Sequence, residues 1–120
     1  MKYFFVGMHN KPKLMPLCSS TKTGKIVDEI ISNLKHKCVK TNLCEVEYQP
    51  IESAEIYDAA VEWHEKYNLG KDDVIVLLGK WVQENFQRRY FTIIDLPHPA
   101  SVFKDREGFI KRCVEKIKIK

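Results

Sequence analysis

The stretch VIVLL at residues 74–78, followed by Gly79, is the most hydrophobic part of this 120-residue chain. A short, uninterrupted apolar run that ends at a glycine predicts a β-strand buried on both faces. Such strands are typical of parallel sheets that helices cover on both sides. We therefore expect residues 74–78 at the centre of the fold.

Three other segments have the composition of strands. Tyr3–Val6 is aromatic and β-branched and stops at Gly7, which predicts a second fully buried strand. Lys37–Leu43 alternates apolar and polar residues only weakly, which indicates a strand near the edge of the sheet. Phe91–Ile94 is a short apolar run, and the Pro-His-Pro triplet at 97–99 ends it.

Apolar residues with helical spacing occupy the intervals between these strands. Thr21 or Thr23 is expected to cap the first helix. Before that helix, Met8–Thr23 contains two prolines and no periodicity, which predicts a long loop, and long loops in compact domains tend to carry function. The helical segments are Ile26–Leu34, Ser53–Tyr67, Trp81–Phe86 and Phe109–Ile117.

The order of elements is therefore β-α repeated four times, in a single domain over residues 1–120. This order predicts an α/β fold, a three-layer α/β/α sandwich whose four-stranded parallel sheet has the strand order 2-1-3-4. In such sheets the loops that leave the C-terminal ends of the strands surround the ligand site.

Composition excludes several classes of protein. With 44% hydrophobic and 30% charged residues, the chain is neither disordered nor fibrous. Its apolar runs are far shorter than the ~20 residues that cross a bilayer, and no cleavage site follows the first one. We expect a soluble cytoplasmic protein with no membrane contact, a monomer by default. Its four cysteines lack zinc or thioredoxin spacing, so free thiols and no metal or cofactor are expected: Cys18, Cys38, Cys44 and Cys113.

The net charge of +4 is unevenly distributed along the chain. Residues 1–40 carry eight Lys or Arg against two acids, residues 41–103 five against eleven, and residues 104–120 seven against three. If the two basic segments share a face, that face would attract a polyanion such as DNA. The same distribution of charge is explained equally well by an ordinary solvated surface that binds no polyanion.

The loops at the C-terminal strand ends carry polar side chains of two useful kinds. Two histidines offer imidazole donors for a developing oxyanion, and two amides can read a donor and an acceptor on a planar heterocycle. Each residue alone is explained more simply as a turn or backbone-capping residue. The four loops are Gly7-Met8-His9-Asn10, Thr41-Asn42, Gly79-Lys80 and His98-Pro99-Ala100.

Six short motifs follow one another along nearly the whole chain: Gly7 after the first strand, Pro16-Leu17, Thr23–Ile30, Thr41-Asn42, Val76–Gly79 and His98-Pro99-Ala100. Their order and spacing resemble the uracil-DNA glycosylase superfamily, most closely its shorter bacterial and archaeal branch, often called family four. The corresponding family motifs are a G-E-x-P-G turn, P-F, G-K-L-L-D-x-x-L, T-N, an apolar strand with a terminal glycine, and H-P-A or H-P-S.

The resemblance implies roles for individual residues. Asn42 would pair with the edge of an extruded uracil, and His98 would donate to the pyrimidine oxygen that gains charge as the glycosidic bond breaks. The turn after the first strand would lie against the sugar, with His9 or Asn10 orienting the attacking water. Leu17 would lie on the base, where the family has a stacking phenylalanine.

The remaining implied contacts are to substrate and to DNA. They involve Gly7, Met8, Pro99 and Ala100 at the base and sugar, and Lys104, Arg106, Lys111 and Arg112 at the phosphates. The expected partner is DNA, single- or double-stranded, that contains uracil or another deaminated base. No iron-sulfur cluster is expected, because among the cysteines only Cys44 lies near a position where the family has a cluster ligand.

The first loop departs from the family, since it lacks the P-G pair and has Leu14 near the position of the acidic residue in the iron-sulfur branch. Two alternatives therefore stand beside a uracil-DNA glycosylase. One is a nucleic-acid or nucleobase-binding module of the same fold with weak or no catalysis. The other is a doubly wound nucleotide-binding or interaction domain, although neither G-x-G-x-x-G nor a P-loop motif is present.

Overall fold

The structure is a computed structural model that describes residues 2–9, 16–44, 53–88, 92–99 and 105–119. Strands and helices alternate along these residues as the sequence predicts. The elements are β1 (Lys2–His9), α1 (Lys22–Ser32), β2 (Lys37–Cys44), α2 (Ser53–Lys66), β3 (Val74–Leu78), α3 (Lys80–Asn85), β4 (Thr92–Leu96) and α4 (Arg106–Ile119).

The four strands form one parallel sheet in the order β2-β1-β3-β4. The predicted strand order is confirmed, with the buried strand β3 between β1 and β4. β2 is an edge strand, which agrees with its weak apolar pattern. Because all strands run in one direction, their C-terminal ends lie along one side of the sheet, which we call the C-terminal edge.

Helices cover both faces of the sheet and give the predicted α/β/α sandwich. Phe5 and Val76 pack with α1 and α4, whereas Phe4 and Ile75 point the other way and pack with α2 and α3. Phe5, Val76 and Ile75 are fully buried, and burying a side chain of this size stabilises the fold by about 1.5–3 kcal/mol. This alternation also decides which face each residue at the C-terminal edge points to.

Two predicted strand ends are wrong, for the same reason. β1 does not stop at Gly7 but continues to His9, because β2 runs beside it and pairs Gly7 with Asn42 and His9 with Cys44. β4 runs beyond Ile94 to Leu96, because its last two residues still pair with β3. Backbone pairing with a neighbouring strand outweighs local composition here.

The structure also decides the cap of α1. Thr21 is the N-cap, and its Oγ1 accepts a hydrogen bond from the Gly24 backbone N–H at 3.0 Å. Thr23 lies inside the helix. Within the described ranges, no helix is both long and apolar enough to cross a membrane.

Candidate functional site

Asn42 and Gly7 lie side by side at the C-terminal edge, on paired positions of β2 and β1. Asn42 is only 3% exposed. A Cβ atom built on Gly7 would lie 2.4 Å from Asn42 Oδ1 and 2.8 Å from Leu17 Cδ2. A side chain at position 7 would therefore have to displace the ends of the Asn42 and Leu17 side chains, which occupy that space. We call Gly7, Leu17 and Asn42 the Asn42 cluster.

Leu17 reaches this cluster through a loop that is fastened to the start of α1. Its φ of 50° is in the left-handed region, which a leucine adopts only when its surroundings enforce it. The Cys18 carbonyl accepts hydrogen bonds from the Thr21 backbone N–H at 3.0 Å and from its Oγ1 at 2.7 Å. A Cβ atom on Gly24 would lie 1.9 Å from that carbonyl oxygen, so the loop backbone passes directly over a glycine in the helix.

An ion pair holds the same loop to β2. Lys40, two residues before Asn42, contacts the Asp28 carboxylate and donates to Ser19 Oγ at 3.0 Å. Burial acts to raise the pKa of Asp28, but hydrogen bonds from Lys40 and Ser19 and the charge of Lys40 outweigh it and lower the pKa below its usual value. Asp28 therefore stays charged at neutral pH and ties α1, β2 and the loop together.

His98 lies at the other end of the C-terminal edge, packed on Gly79. Gly79 directly follows β3 and has a φ of 94°, a conformation that favours glycine. A Cβ atom there would lie 3.0 Å from both Cβ and Cδ2 of His98. The imidazole therefore lies over the end of β3, although His98 follows β4 in the sequence.

The candidate base-reading amide and the candidate donor thus each pack on a glycine in or just after a central strand. Asn42 leans from β2 onto Gly7 of β1, and His98 leans onto Gly79 after β3. β1 and β3 are neighbours, and neighbouring strands lie about 4.8 Å apart. One side chain from within edge strand β2 and one from the segment that follows edge strand β4 therefore contact glycines of the two central strands or their ends.

A buried hydrogen-bond chain fixes β2 next to Asn42. Trp63 Nε1 donates to Thr41 Oγ1 at 3.0 Å, and that hydroxyl donates to the Phe5 carbonyl at 3.1 Å. Thr41 is fully buried and Trp63 is 3% exposed. Because β2 has a neighbour on one side only, this link from α2 supplies restraint that an edge strand otherwise lacks.

The structure does not bring every predicted residue into the Asn42 cluster. Met8 is half-buried and packs with the α2 and α3 layer, on the other face of the sheet. The backbone of His9 belongs to β1, and Pro99 is buried directly after His98. Three predicted site residues lie outside the described residues: Asn10, Ala100 and Lys104.

The predicted phosphate contacts on α4 lie among acidic side chains. Arg106 pairs with Glu29 of α1 at 2.7 Å, and Arg112 lies 3.7 Å from Asp105. Lys111 lines a groove of about 500 Å³ between α1 and α4, together with Glu29 and two other glutamates. The predicted basic residues in the described part of α4 are thus partly neutralised.

Charge nevertheless differs between the two helical layers. α4 carries five Lys or Arg against two acids. α2, on the other face, carries four acids and one lysine. The acidic middle segment of the sequence therefore lies partly on the layer opposite the basic α4.

The two buried cysteines, Cys44 and Cys113, are poorly suited to act as nucleophiles. Burial raises the pKa of the Cys44 thiol to about 11, with a smaller contribution from the Glu55 charge. Burial also raises the pKa of Cys113 to about 11, against the lowering effect of Arg112 and Lys116. Such thiols are protonated and poorly nucleophilic at neutral pH. Nowhere in the described ranges do three or more His, Cys, Asp or Glu side chains form a group suited to a metal ion.

Sequence reasoning missed three contributors to this geometry. Gly24 supports the Leu17 loop, Lys40 fastens that loop to β2, and Gln83 hydrogen-bonds the ends of β3 and β4. The role of Gly24 could have been suspected from the sequence, because glycine destabilises a helix and its presence in the first turn suggests that another segment packs closely there. Lys40 and Gln83 act between distant elements and have no local pattern.

Comparisons with protein-family models, with curated proteins and with solved structures find no match for this chain. The resemblance to uracil-DNA glycosylases therefore depends on the short sequence motifs alone.

Proposed function

We propose that this protein is a uracil-DNA glycosylase-like enzyme that hydrolyses the N-glycosidic bond of uracil, or of a related deaminated base, in DNA. The observation that carries the proposal is the position of two residues at the C-terminal edge, Asn42 in β2 and His98 just after β4. The Asn42 carboxamide lies against Gly7 of β1, and the His98 imidazole lies against Gly79 at the end of β3. Both positions match motifs of the family that the sequence resembles.

The chemistry of these two groups suits the reaction. A carboxamide has both a donor and an acceptor, which complements the N3–H and O4 edge of uracil. When water replaces the base at C1′ of the sugar, the bonding electron pair leaves with uracil and charge develops on its O2. A donor held at that oxygen stabilises the transition state more than the ground state.

In the family resemblance, Leu17 takes the position of the base-stacking phenylalanine. Leu17 is 8% exposed and lies against Gly7 and Asn42. An aliphatic side chain offers an apolar surface to a base face, but less than an aromatic ring does. We therefore expect weaker base stacking than in relatives with phenylalanine at this position.

The test is to incubate the purified full chain with oligonucleotides that carry one uracil or one inosine, single-stranded and in duplexes. Alkali then cleaves the strand at any abasic site, and free base is measured in parallel. Strand cleavage together with uracil release supports the proposal. A thymine at the same position is the matched substrate control, and its excision at the same rate would contradict uracil recognition.

A second candidate is a binding module of the same fold that does not excise bases. It is favoured by the first loop, which lacks the family's G-E-x-P-G turn. Such a module would bind DNA with a steep salt dependence and leave uracil-DNA intact. Replacing Lys111 and Arg112 with glutamine should weaken binding to all sequences and reduce the salt slope by about one for each lost phosphate contact. The matched control is replacement of Lys35 and Lys37 with glutamine. Both lysines are exposed and lie near the N-terminal ends of the strands, on the side of the sheet away from the candidate site.

A further inference from the structure

The ends of β3 and β4 are joined by one side chain of α3. Gln83 Nε2 donates to the Leu96 carbonyl at 2.8 Å and to the Leu77 carbonyl at 3.3 Å. Leu77 and Leu96 are both essentially buried. A single carboxamide thus supplies donors to backbone oxygens of two neighbouring strands.

The Leu96 carbonyl is also bound by the turn that follows β3. The Gly79 backbone N–H donates to it at 2.9 Å. Leu96 is the last residue of β4, and only Pro97, whose φ is fixed by its ring, separates it from His98. Gln83 therefore restrains the backbone two residues before the imidazole, and the turn that the imidazole packs on.

From these contacts we infer that Gln83 is a positioning residue for His98. The inference depends on the proposed function, because it assigns Gln83 a role in the same site. Gln83 itself is a residue of α3, and its backbone N–H donates to the Gly79 carbonyl at 3.1 Å. The side chain acts on the reaction through the backbone that carries His98.

The role predicts a specific kinetic signature. His98 is proposed to act on charge that develops only in the transition state, so a misplaced imidazole lowers kcat and leaves KM nearly unchanged. A displacement of about 1 Å can cost up to ~10²-fold in rate. We expect Gln83→Met, which keeps the length and removes the donors, to lower the single-turnover excision rate about tenfold and to change KM less than about twofold.

Two further variants separate positioning from general damage. Gln83→Glu places only acceptors against two carbonyl oxygens, so its rate should fall below that of Gln83→Met. Glu84→Gln is the matched control, because Glu84 is the exposed neighbour on the same helix, and its kinetics should equal those of the native chain. The hydrogen bond from the Gly79 backbone N–H to the Leu96 carbonyl does not involve the Gln83 side chain, so it is kept in every variant.

A readout independent of activity is the NMR spectrum of the His98 ring, assigned by its loss in His98→Ala. In Gln83→Met the His98 ring signals should shift or broaden, whereas Glu84→Gln should leave them in place. Native-like His98 signals in Gln83→Met overturn the inference. If the native chain excises no base but the His98 signals respond as expected, the proposed function fails and the positioning of His98 by Gln83 stands. If excision is native-like in Gln83→Met, the positioning role in catalysis is overturned.

Discussion

Gly7→Ala tests the geometry of the Asn42 cluster most sharply. The new Cβ would lie 2.4 Å from Asn42 Oδ1 and 2.8 Å from Leu17 Cδ2, whereas non-bonded carbon atoms prefer about 3.5–4.0 Å. The overlap with the leucine alone is therefore about 0.7–1.2 Å. Relieving it requires movement of the buried amide, of the Leu17 loop, or of both.

The expected free-energy change can be estimated from two opposing effects. Overpacking of this kind costs about 1–3 kcal/mol. Gly7 does not have a positive φ, so alanine fits its backbone and recovers about 0.5–1 kcal/mol of the conformational entropy that glycine loses in a strand. Because two side chains overlap the new Cβ at once, we take an overpacking cost of about 1.5–3 kcal/mol and expect a net loss of about 0.5–2.5 kcal/mol in the free energy of unfolding.

The assay is urea unfolding, with Gly70→Ala as the matched control. A Cβ on Gly70 would meet nothing closer than 3.5 Å, so that variant should be neutral or slightly more stable. Truncating Leu17 to alanine in the Gly7→Ala background should reduce the cost of Gly7→Ala, because one of the two overlaps disappears. A Gly7→Ala protein as stable as the native chain would refute this description of the cluster.

Three further predictions follow from the same elements. Asn42→Asp should lose discrimination for uracil in competition binding, because a carboxylate offers no donor to a pyrimidine carbonyl; unchanged discrimination would remove Asn42 from base reading. Asp28→Asn should cost less than about 1 kcal/mol at pH 7, since solvent screens the half-exposed pair with Lys40. The pKa of Asp28 is lower in the folded state than in the unfolded state. The ion pair therefore stabilises the fold above the unfolded pKa of about 3.9, and this stabilisation is lost as the pH falls through the folded-state pKa. The stabilities of the native protein and of Asp28→Asn should therefore converge in acid. Thr41→Val should cost about 1–3 kcal/mol in thermal or urea unfolding, because it leaves the buried indole N–H of Trp63 without its acceptor, whereas Thr41→Ser should stay near the native stability.

The fold could be predicted because its signals are local. The apolar run at 74–78 and the alternation of strands and helices determine a parallel sheet, and crossover handedness leaves few strand orders. The sequence limits the N-cap of α1 to Thr21 or Thr23 but does not decide between them, because the start of the helix depends on where the preceding loop lies. The ends of β1 and β4 were missed since pairing with a neighbouring strand is invisible in the strand's own composition.

The site could be predicted only in part. Residues at strand ends, such as Asn42 and His98, share an edge in any parallel sheet, so their common location follows from topology. The packing of Asn42 on Gly7 and of His98 on Gly79 could not be predicted, because these are contacts between residues far apart in the sequence. The pairing of Arg106 with Glu29 is of the same kind, and charge counts along the chain could not reveal it.

The proposed action of His98 on a uracil leaving group can be tested by a single-turnover comparison of three proteins. The native chain, His98→Ala and His36→Ala are mixed in excess with uracil-containing DNA, and uracil release is followed in time. His36 is an exposed histidine just before β2, on the side of the sheet where the strands begin and the candidate site does not lie. We predict that His98→Ala slows release ~10²-fold or more, the usual cost of removing one donor to a developing anion, while His36→Ala matches the native rate. Equal rates in all three proteins, or no release by the native chain, would contradict the claim.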